Sequence, residues 1–311
     1  MGSVLRIKPF AVMIALTLVL AGCTDEAEPE SPASPSASTD GTVADAGVVD
    51  VGGYELDYQC AGDRADGPTV ILEAGYDSAG TSTWFDLQPE VAEFARVCTY
   101  DRAGVGTSDP RPSSMEPVTG EQIAGELHAL LQGIDEPGPF VLVGHSFGGL
   151  LVRTFGANYP DEVAGMVLID ASSEPEIPVY RRLHAGAWID GGTKVDIDEV
   201  SDEVRHARLG DAPLVVLTAE VLEDEWLSQV PDLAARAQAR LATLSTNAVE
   251  VLAPDTGHFI QDEDPSLVLE AIRQVEASAR TGKDLPPCGA AFKDVGGECI
   301  PRGEIPTLVV T

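Results

Sequence analysis

The feature that most constrains this chain is a turn. Residues 140–143 (Phe-Val-Leu-Val) are a short apolar run that reads as a buried strand, and they pass without a linker into Gly144-His145-Ser146-Phe147-Gly148-Gly149. Residues 150–158 then read as a helix that stops before Tyr159-Pro160, because the residue preceding a proline is pushed out of the helical region. A Gly-x-Ser-x-Gly pentapeptide alone says little. Between a strand and a helix, however, it specifies a sharp turn that strains the serine backbone and lifts its hydroxyl clear of the sheet. Side chains at 144 and 148 would collide with the approaching chain, so both positions are glycine. Ser146 is therefore the candidate nucleophile.

Such a turn belongs in a largely parallel sheet, and the rest of the chain supplies one. Tyr54, Leu56 and Tyr58 alternate with polar neighbours, as in a half-buried edge strand. Residues 69–72 read as a buried strand, 84–95 as a helix and 96–100 as another strand. A helix over 121–131 carries Ile123, Leu127, Leu130 and Leu131 on one side. Strands follow at 163–169, 214–217 and 249–252, with a helix over 233–244 between the last two. Asp264-Pro265 opens a final helix, with Asp as its cap and Pro at its first position. Residues 171–212 lie between adjacent strands and carry Trp188, several prolines and many charges, and they are expected to form a short cap over the site. Continuous apolar strands separated by amphipathic helices predict an α/β fold: a mostly parallel central sheet with helices on both faces.

The two flanks read differently. Arg6 and Lys8 precede an apolar run that ends in Leu20-Ala21-Gly22-Cys23, too short for a persuasive spanning helix. That ending resembles the lipobox of bacterial lipoproteins, which implies a signal peptide over 1–22 and a lipid on Cys23. An ordinary secretory peptide with an incidental cysteine is the alternative. Residues 23–48, rich in Pro, Ser, Ala, Asp and Glu, are expected to be a disordered tether, because they cannot bury enough apolar surface to fold. Residues 49–282 are long enough for one sizeable core, and 283–311 read as a disulfide-stapled tail. Export to an oxidising exterior suits disulfides among Cys60, Cys98, Cys288 and Cys299, whose pairing the sequence leaves open. Local closure of Cys288 with Cys299 is the economical choice and leaves Cys60 with Cys98. The formal charge is -32, with 51 acidic residues against 19 basic ones, and lysine occurs only at Lys8, Lys194, Lys283 and Lys293. Without a basic patch, nucleic acid is not an expected partner. The acidic surface bears on solubility and not on substrate.

Four segments taken together resemble the α/β-hydrolase superfamily, most closely its secreted or lipoprotein branch with a Gly-His-Ser-x-Gly-Gly nucleophile elbow. They are Leu72-Glu73-Ala74-Gly75, Tyr100-Asp101-Arg102-Ala103-Gly104-x-Gly106-x-Ser108, the turn at Ser146, and Gly257-His258-Phe259. The resemblance covers residues 54–279 and implies roles position by position. His258 follows a late strand through Pro254-Asp255-Thr256-Gly257, where the family presents its general base. His145 is expected to support the elbow or line the pocket; His128 lies on a helix, and His184 and His206 lie in the cap region.

The acid departs from the common pattern. Many members carry it after the strand at 214–217, a few residues beyond a glycine, but this chain reads Thr218-Ala219-Glu220-Val221-Leu222-Glu223-Asp224, with Leu222 about where the Asp would fall. Asp170, at the end of the preceding strand, is the preferred acid, as in some lipase-like members; Glu220 and Asp224 are the alternatives. The backbone N–H groups of Phe147 and Tyr76 are the expected oxyanion donors. Cys60 and Cys98 fall where the branch tends to carry cysteines, which supports their pairing. Asp101 and Arg102 are read as a neighbouring ion pair bracing the 104–108 loop. Trp84, Phe147, Trp188, Trp226 and Phe259 are candidates for the pocket wall.

The activity these residues imply is that of a serine hydrolase cleaving a small or medium carboxylic ester or amide through an acyl-enzyme intermediate. One alternative is aminopeptidase-like cleavage of short peptides, which needs a cap carboxylate such as Glu174 or Glu176 to hold a substrate ammonium. Another is a catalytically silent binding protein displayed on a membrane. Haloalkane dehalogenases and epoxide hydrolases share the fold but use Asp at the nucleophile position, so Ser146 argues against both. There is no dinucleotide glycine fingerprint, no phosphate-cradling loop with lysine and no His-Glu-x-x-His motif. The expected partners are therefore a small-molecule substrate and, through the lipid, a membrane, with no cofactor and no metal.

Overall fold

Strand formation follows the apolar runs. The computed structural model describes residues 43–64, 67–183, 188–223 and 227–310. In chain order its strands are β1 (Val43–Asp50), β2 (Glu55–Ala61), β3 (Val70–Glu73), β4 (Val97–Tyr100), β5 (Phe140–His145), β6 (Val163–Ile169), β7 (Trp188–Asp190), β8 (Thr193–Val195), β9 (Leu214–Ala219), β10 (Val221–Leu222), β11 (Ala248–Ala253), β12 (Glu298–Ile300) and β13 (Val309–Val310). Nine of them make one sheet in the order β1-β2-β4-β3-β5-β6-β9-β11-β12. From β4 to β11 every neighbour is parallel, while β1, β2 and β12 run antiparallel at the margins.

Successive side chains of a strand point to opposite faces, and in the central strands both sets are apolar. The helices, in chain order, are α1 (Gly80–Thr83), α2 (Leu87–Ala92), α3 (Gly120–Gly133), α4 (Phe147–Asn158), α5 (Ile177–Leu183), α6 (Ile197–Val204), α7 (Pro231–Leu241), α8 (Ile260–Glu263), α9 (Pro265–Thr281) and α10 (Ala290–Asp294). Val70, Leu72, Val141, Val143, Val167 and Ile169 pack on one face with Leu87 and Val91 of α2 and with Leu267, Val268 and Val275 of α9. Ile71, Leu142, Met166 and Leu168 pack on the other with Leu127 and Leu131 of α3 and with Val152 and Phe155 of α4. The two-sided α/β layering expected from the sequence is the architecture observed.

Between β6 and β9 the chain leaves the sheet to form α5, the β7–β8 hairpin and α6. Trp188, Val195, Ile197, Val200 and Val204 of this insertion pack on Val118, Ile123, Phe147, Leu150 and Leu151. The cap thus rests on the elements that frame the Ser146 turn.

Several expectations need correction. The edge strand is β1, not β2: β1 pairs antiparallel with β2 from Val43↔Ala61 to Asp50↔Glu55. The expected tether therefore overlaps a strand over residues 43–48, which its Pro-, Ser- and acid-rich composition concealed. Of the helix expected over 84–95 only α2, over 87–92, is formed, and α1 precedes it at 80–83. Pro89 lies in the first turn of α2, where a missing N–H is tolerated, and it could not lie further inside. The tail does more than hang from a staple, since β12 adds a strand beside β11 and β13 pairs with β10. Residues 1–42, including Cys23, lie outside the described residues, as do His184, Asp224 and Trp226. The disulfides are Cys60–Cys98, joining opposite positions of β2 and β4, and Cys288–Cys299.

Candidate active site

The order β4-β3-β5 means that the chain leaves β3 in one direction and β5 in the other. The loops after those strands diverge at their carboxyl ends, and a crevice opens there. Ser146 stands in it, directly after β5 and as the N-cap of α4, at φ 53° and ψ -123°. Few non-glycine residues hold a positive φ, and this one is fixed by close packing. A Cβ at Gly144 would come within 2.6 Å of the Gly148 carbonyl oxygen, and one at Gly148 within 2.5 Å of the carbonyl oxygens of Glu73 and Ala74.

The His258 loop is formed by Pro254-Asp255-Thr256-Gly257. The Thr256 hydroxyl donates to the Ala253 carbonyl at 2.9 Å, and the Asp255 N–H donates to Glu220 Oε2 at 2.8 Å. These bonds bring His258 Nε2 to 2.8 Å from Ser146 Oγ. Its Nδ1 lies 2.6 Å from Asp170 Oδ2. With the proton on Nδ1, the imidazole donates to Asp170 and accepts from the serine hydroxyl. Asp170 follows β6 at φ 38°, and its N–H donates to the Leu217 carbonyl at 2.8 Å. Its Oδ1 accepts from the Ala219 N–H at 3.3 Å, so that carboxylate is held from the neighbouring strand end. His145 lies beneath: its Nε2–H donates to the His258 carbonyl at 2.8 Å. Burial, followed by the charge of His258, pushes the His145 pKa down to about 3, so this ring stays neutral and acts as a fixed donor.

The structure thus joins Ser146, His258 and Asp170. It leaves Glu220 in the loop as the acceptor for Asp255, away from the imidazole. His128 stacks on Tyr159 and bonds Glu162 at 3.0 Å. Glu174 is committed to Arg153 at 2.8 Å and Arg240 at 3.1 Å, and Glu176 accepts from the Ser173 N–H at 2.8 Å. Neither lines the pocket at Ser146. Asp101 and Arg102 do not pair with each other. Asp101 takes the Thr81 and Thr107 N–H groups and so does brace that loop, whereas Arg102 turns inward to Glu73 and Asp190.

The pocket at Ser146 holds about 350 Å³ and is walled by Tyr76, Phe147, Tyr180, Trp188, Leu222 and Phe259, among others. Trp188 sits at the centre of this wall, with its ring centroid 5.0 Å from Tyr76, 5.1 Å from Phe147 and 5.8 Å from Tyr180. Trp84 is core, under α2. Sequence reasoning missed Tyr180 and Glu223, which also line the pocket. Only their closeness in sequence to a strand end or the cap could have suggested them.

A protein-family model described as alpha/beta hydrolase fold matches residues 68–191, from the start of β3 to the β7–β8 hairpin. The uncharacterized protein YqjL of Bacillus subtilis is 28% identical over 227 residues, which is 68% of this chain and 85% of that protein. An uncharacterized vacuolar membrane protein of Saccharomyces cerevisiae is 33% identical over 136 residues, and the chain spans only 21% of that protein's length. Among solved structures, a thermophilic esterase from Thermogutta terrifontis superposes with a TM-score of 0.59 at 20% identity, covering 76% of this chain and 100% of that one. The chain has the α/β-hydrolase fold.

Proposed function

We propose that this protein is a serine hydrolase acting on small or medium carboxylic esters or amides through an acyl-enzyme intermediate. The observation that carries the reading is the continuous hydrogen-bonded series Ser146 Oγ, His258 Nε2, His258 Nδ1, Asp170 Oδ2 at the wall of a largely apolar pocket. Ser146 Oγ attacks the carbonyl carbon while His258 Nε2 takes its proton. Asp170 stabilises the imidazolium and keeps the other ring proton on Nδ1. The carbonyl oxygen, now carrying the charge, is met by the N–H groups of Phe147 and Tyr76. His258 returns its proton to the leaving oxygen or nitrogen, and then activates a water molecule to release the acid and free Ser146.

The aromatic wall and the pocket volume suit a compact acyl or leaving group. The commitment of Glu174 and Glu176 to internal partners weakens the aminopeptidase reading. Export with a lipid on Cys23 stays part of this proposal and is supported by two disulfides, which suit an oxidising exterior. Among the described residues, no helix is long and apolar enough to cross a membrane. The test is turnover of a panel of p-nitrophenyl esters and aminoacyl anilides by the full chain, with Ser146→Ala as the blank. Serine-dependent hydrolysis with esters preferred supports the proposal. Equal rates for the two proteins, together with no labelling of Ser146 by a fluorophosphonate, would return the chain to a silent binding role.

A further inference from the structure

Arg102 is a buried cation behind the pocket wall, with its side chain 1% exposed and its guanidinium carbon 5.8 Å from the Phe147 ring centroid, and the chemistry above gives it no role. Its Nε and Nη2 donate to Asp190 Oδ2 and Oδ1 at 2.9 and 2.8 Å. Its Nη1 donates to Glu73 Oε1 at 2.7 Å and to the Ala74 carbonyl at 2.8 Å, and its Nη2 donates to the Gly75 carbonyl at 2.7 Å. One guanidinium thus holds three consecutive residues at the end of β3 and fastens them to the cap hairpin. Asp190 contributes further: its Oδ1 accepts the Asp77 N–H at 2.8 Å, and Asp77 Oδ1 accepts the Gly191 N–H at 3.2 Å.

The Gly75 carbonyl and the Tyr76 N–H belong to the same peptide unit. A trans peptide is planar, so its C=O and N–H point in opposite directions and fixing one fixes the other. A cation on the oxygen also polarises the unit and strengthens its N–H as a donor. The Phe147 donor is set by the same device without a charge: the Ser146 carbonyl accepts from the N–H groups of Gly149 at 3.0 Å and Ser172 at 2.9 Å. A buried ion cluster is poor evidence of stabilisation in itself, because apolar packing often does as well, so its carbonyl contacts matter more than its charge pairing.

We propose that Arg102, held by Asp190, is the positioning residue that aims the Tyr76 N–H at the oxyanion, so that docking of the β7–β8 hairpin and assembly of the oxyanion hole are one event. The proposal rests on the serine-hydrolase reading. Its test measures kcat and KM on a neutral ester, together with the affinity of an aryl trifluoromethyl ketone. Ser146 Oγ adds to the ketone carbon, His258 receives the proton, and the resulting oxyanion occupies the hole. Arg102→Gln is expected to lower kcat about 100-fold, the scale of losing one such donor. KM should stay within about threefold while ketone affinity falls in parallel with kcat/KM. Arg102→Lys should recover part of the loss, and Asp190→Asn should show a smaller loss of the same kind.

The control is Glu126→Gln, which breaks the equally buried Arg111–Glu126 pair without touching the loop after β3. It should lower the melting temperature and leave kcat and ketone affinity in place. Arg102 variants that melt earlier but keep both would overturn the proposal. If they do not fold, unchanged ketone affinity in Asp190→Asn would overturn it. An unaltered chain with no Ser146-dependent turnover would instead remove the hydrolase reading, and this assignment with it.

Discussion

Glu73 and Glu250 are both buried in the sheet, 2% and 5% exposed, and burial pushes both carboxyls upward. Their surroundings differ in kind. At the active end of β3, Glu73 accepts from the Tyr100 hydroxyl and from Arg102. Burial works against the neighbouring Asp190 carboxylate too, but the charge and hydrogen bonds of Arg102 outweigh it and lower its pKa. Glu250 lies on β11 against a cavity of about 340 Å³ bounded by Pro287, Cys288, Cys299 and Arg302 of the tail. Its Oε1 has no hydrogen-bond partner among the described residues. Beside Ser146, where buried charges grip the backbone after β3, they are balanced and multiply bonded. At the far edge a carboxylate has been covered without an ion-pair partner among the described residues, and it answers by holding its proton. The first region should therefore respond to mutation in rate and the second in stability.

The largest effect is expected on the reacting side. Asp170→Asn keeps the shape but removes the carboxylate that accepts from His258 Nδ1, and it favours the wrong tautomer. It should lower kcat by about 10⁴-fold, as such changes do in other triads, with little change in melting temperature. Near-normal turnover with the fold intact would move the acid role elsewhere, and Asp224 would be the next residue to change.

How far the sequence reveals each region follows the same division. The Ser146 turn, the central strands and the His258 loop were legible because each rests on local pattern: an apolar run, a glycine that close approach demands, a cap and a proline. Asp170 was only preferred over Glu220 and Asp224. What sets Asp170 apart from Glu220 is its backbone bond to Leu217 and the loop geometry that turns Glu220 toward Asp255, neither of which has a local signature, while Asp224 lies outside the described residues. Arg102 was misread for the same reason. Its neighbour in sequence is an acid, but its partners lie 29 and 88 residues away. Strand β1 was hidden by composition, since pairing with β2, and not its own propensity, gives it its place.

At the far edge the expectation is about pH. The Glu250 pKa rises from 4.5 to about 7, so between those values the native state keeps a proton that the unfolded chain releases. Stability from this group is full below about pH 4.5 and is lost as the pH climbs through 7, by about 3 kcal/mol at most. Glu250→Gln carries no such proton, so its advantage over the unaltered protein in urea unfolding should be near nil at pH 4 and should approach that ceiling at pH 8. A difference that stays flat across this range would mean that Glu250 ionises freely in the folded state, and the contrast with Glu73 would collapse.

The smallest effect sharpens the contrast from inside the pocket. Glu223 lines it, is exposed, and is the one carboxylate among the described lining residues apart from Asp170. Its Oε2 lies 2.4 Å from where a Cβ on Gly257 would stand, so the charge sits against the His258 loop. Unlike Glu73 it is wetted, and a charge in that setting attracts a cation by about 1 kcal/mol, less as salt rises. A choline ester should therefore have a kcat/KM several-fold above that of its neutral 3,3-dimethylbutyl isostere at low ionic strength, and Glu223→Gln should bring the ratio close to unity. A ratio that ignores both the substitution and the salt would show that the rim charge does not reach the substrate. Selectivity in this pocket would then come from the aromatic wall around Trp188 alone.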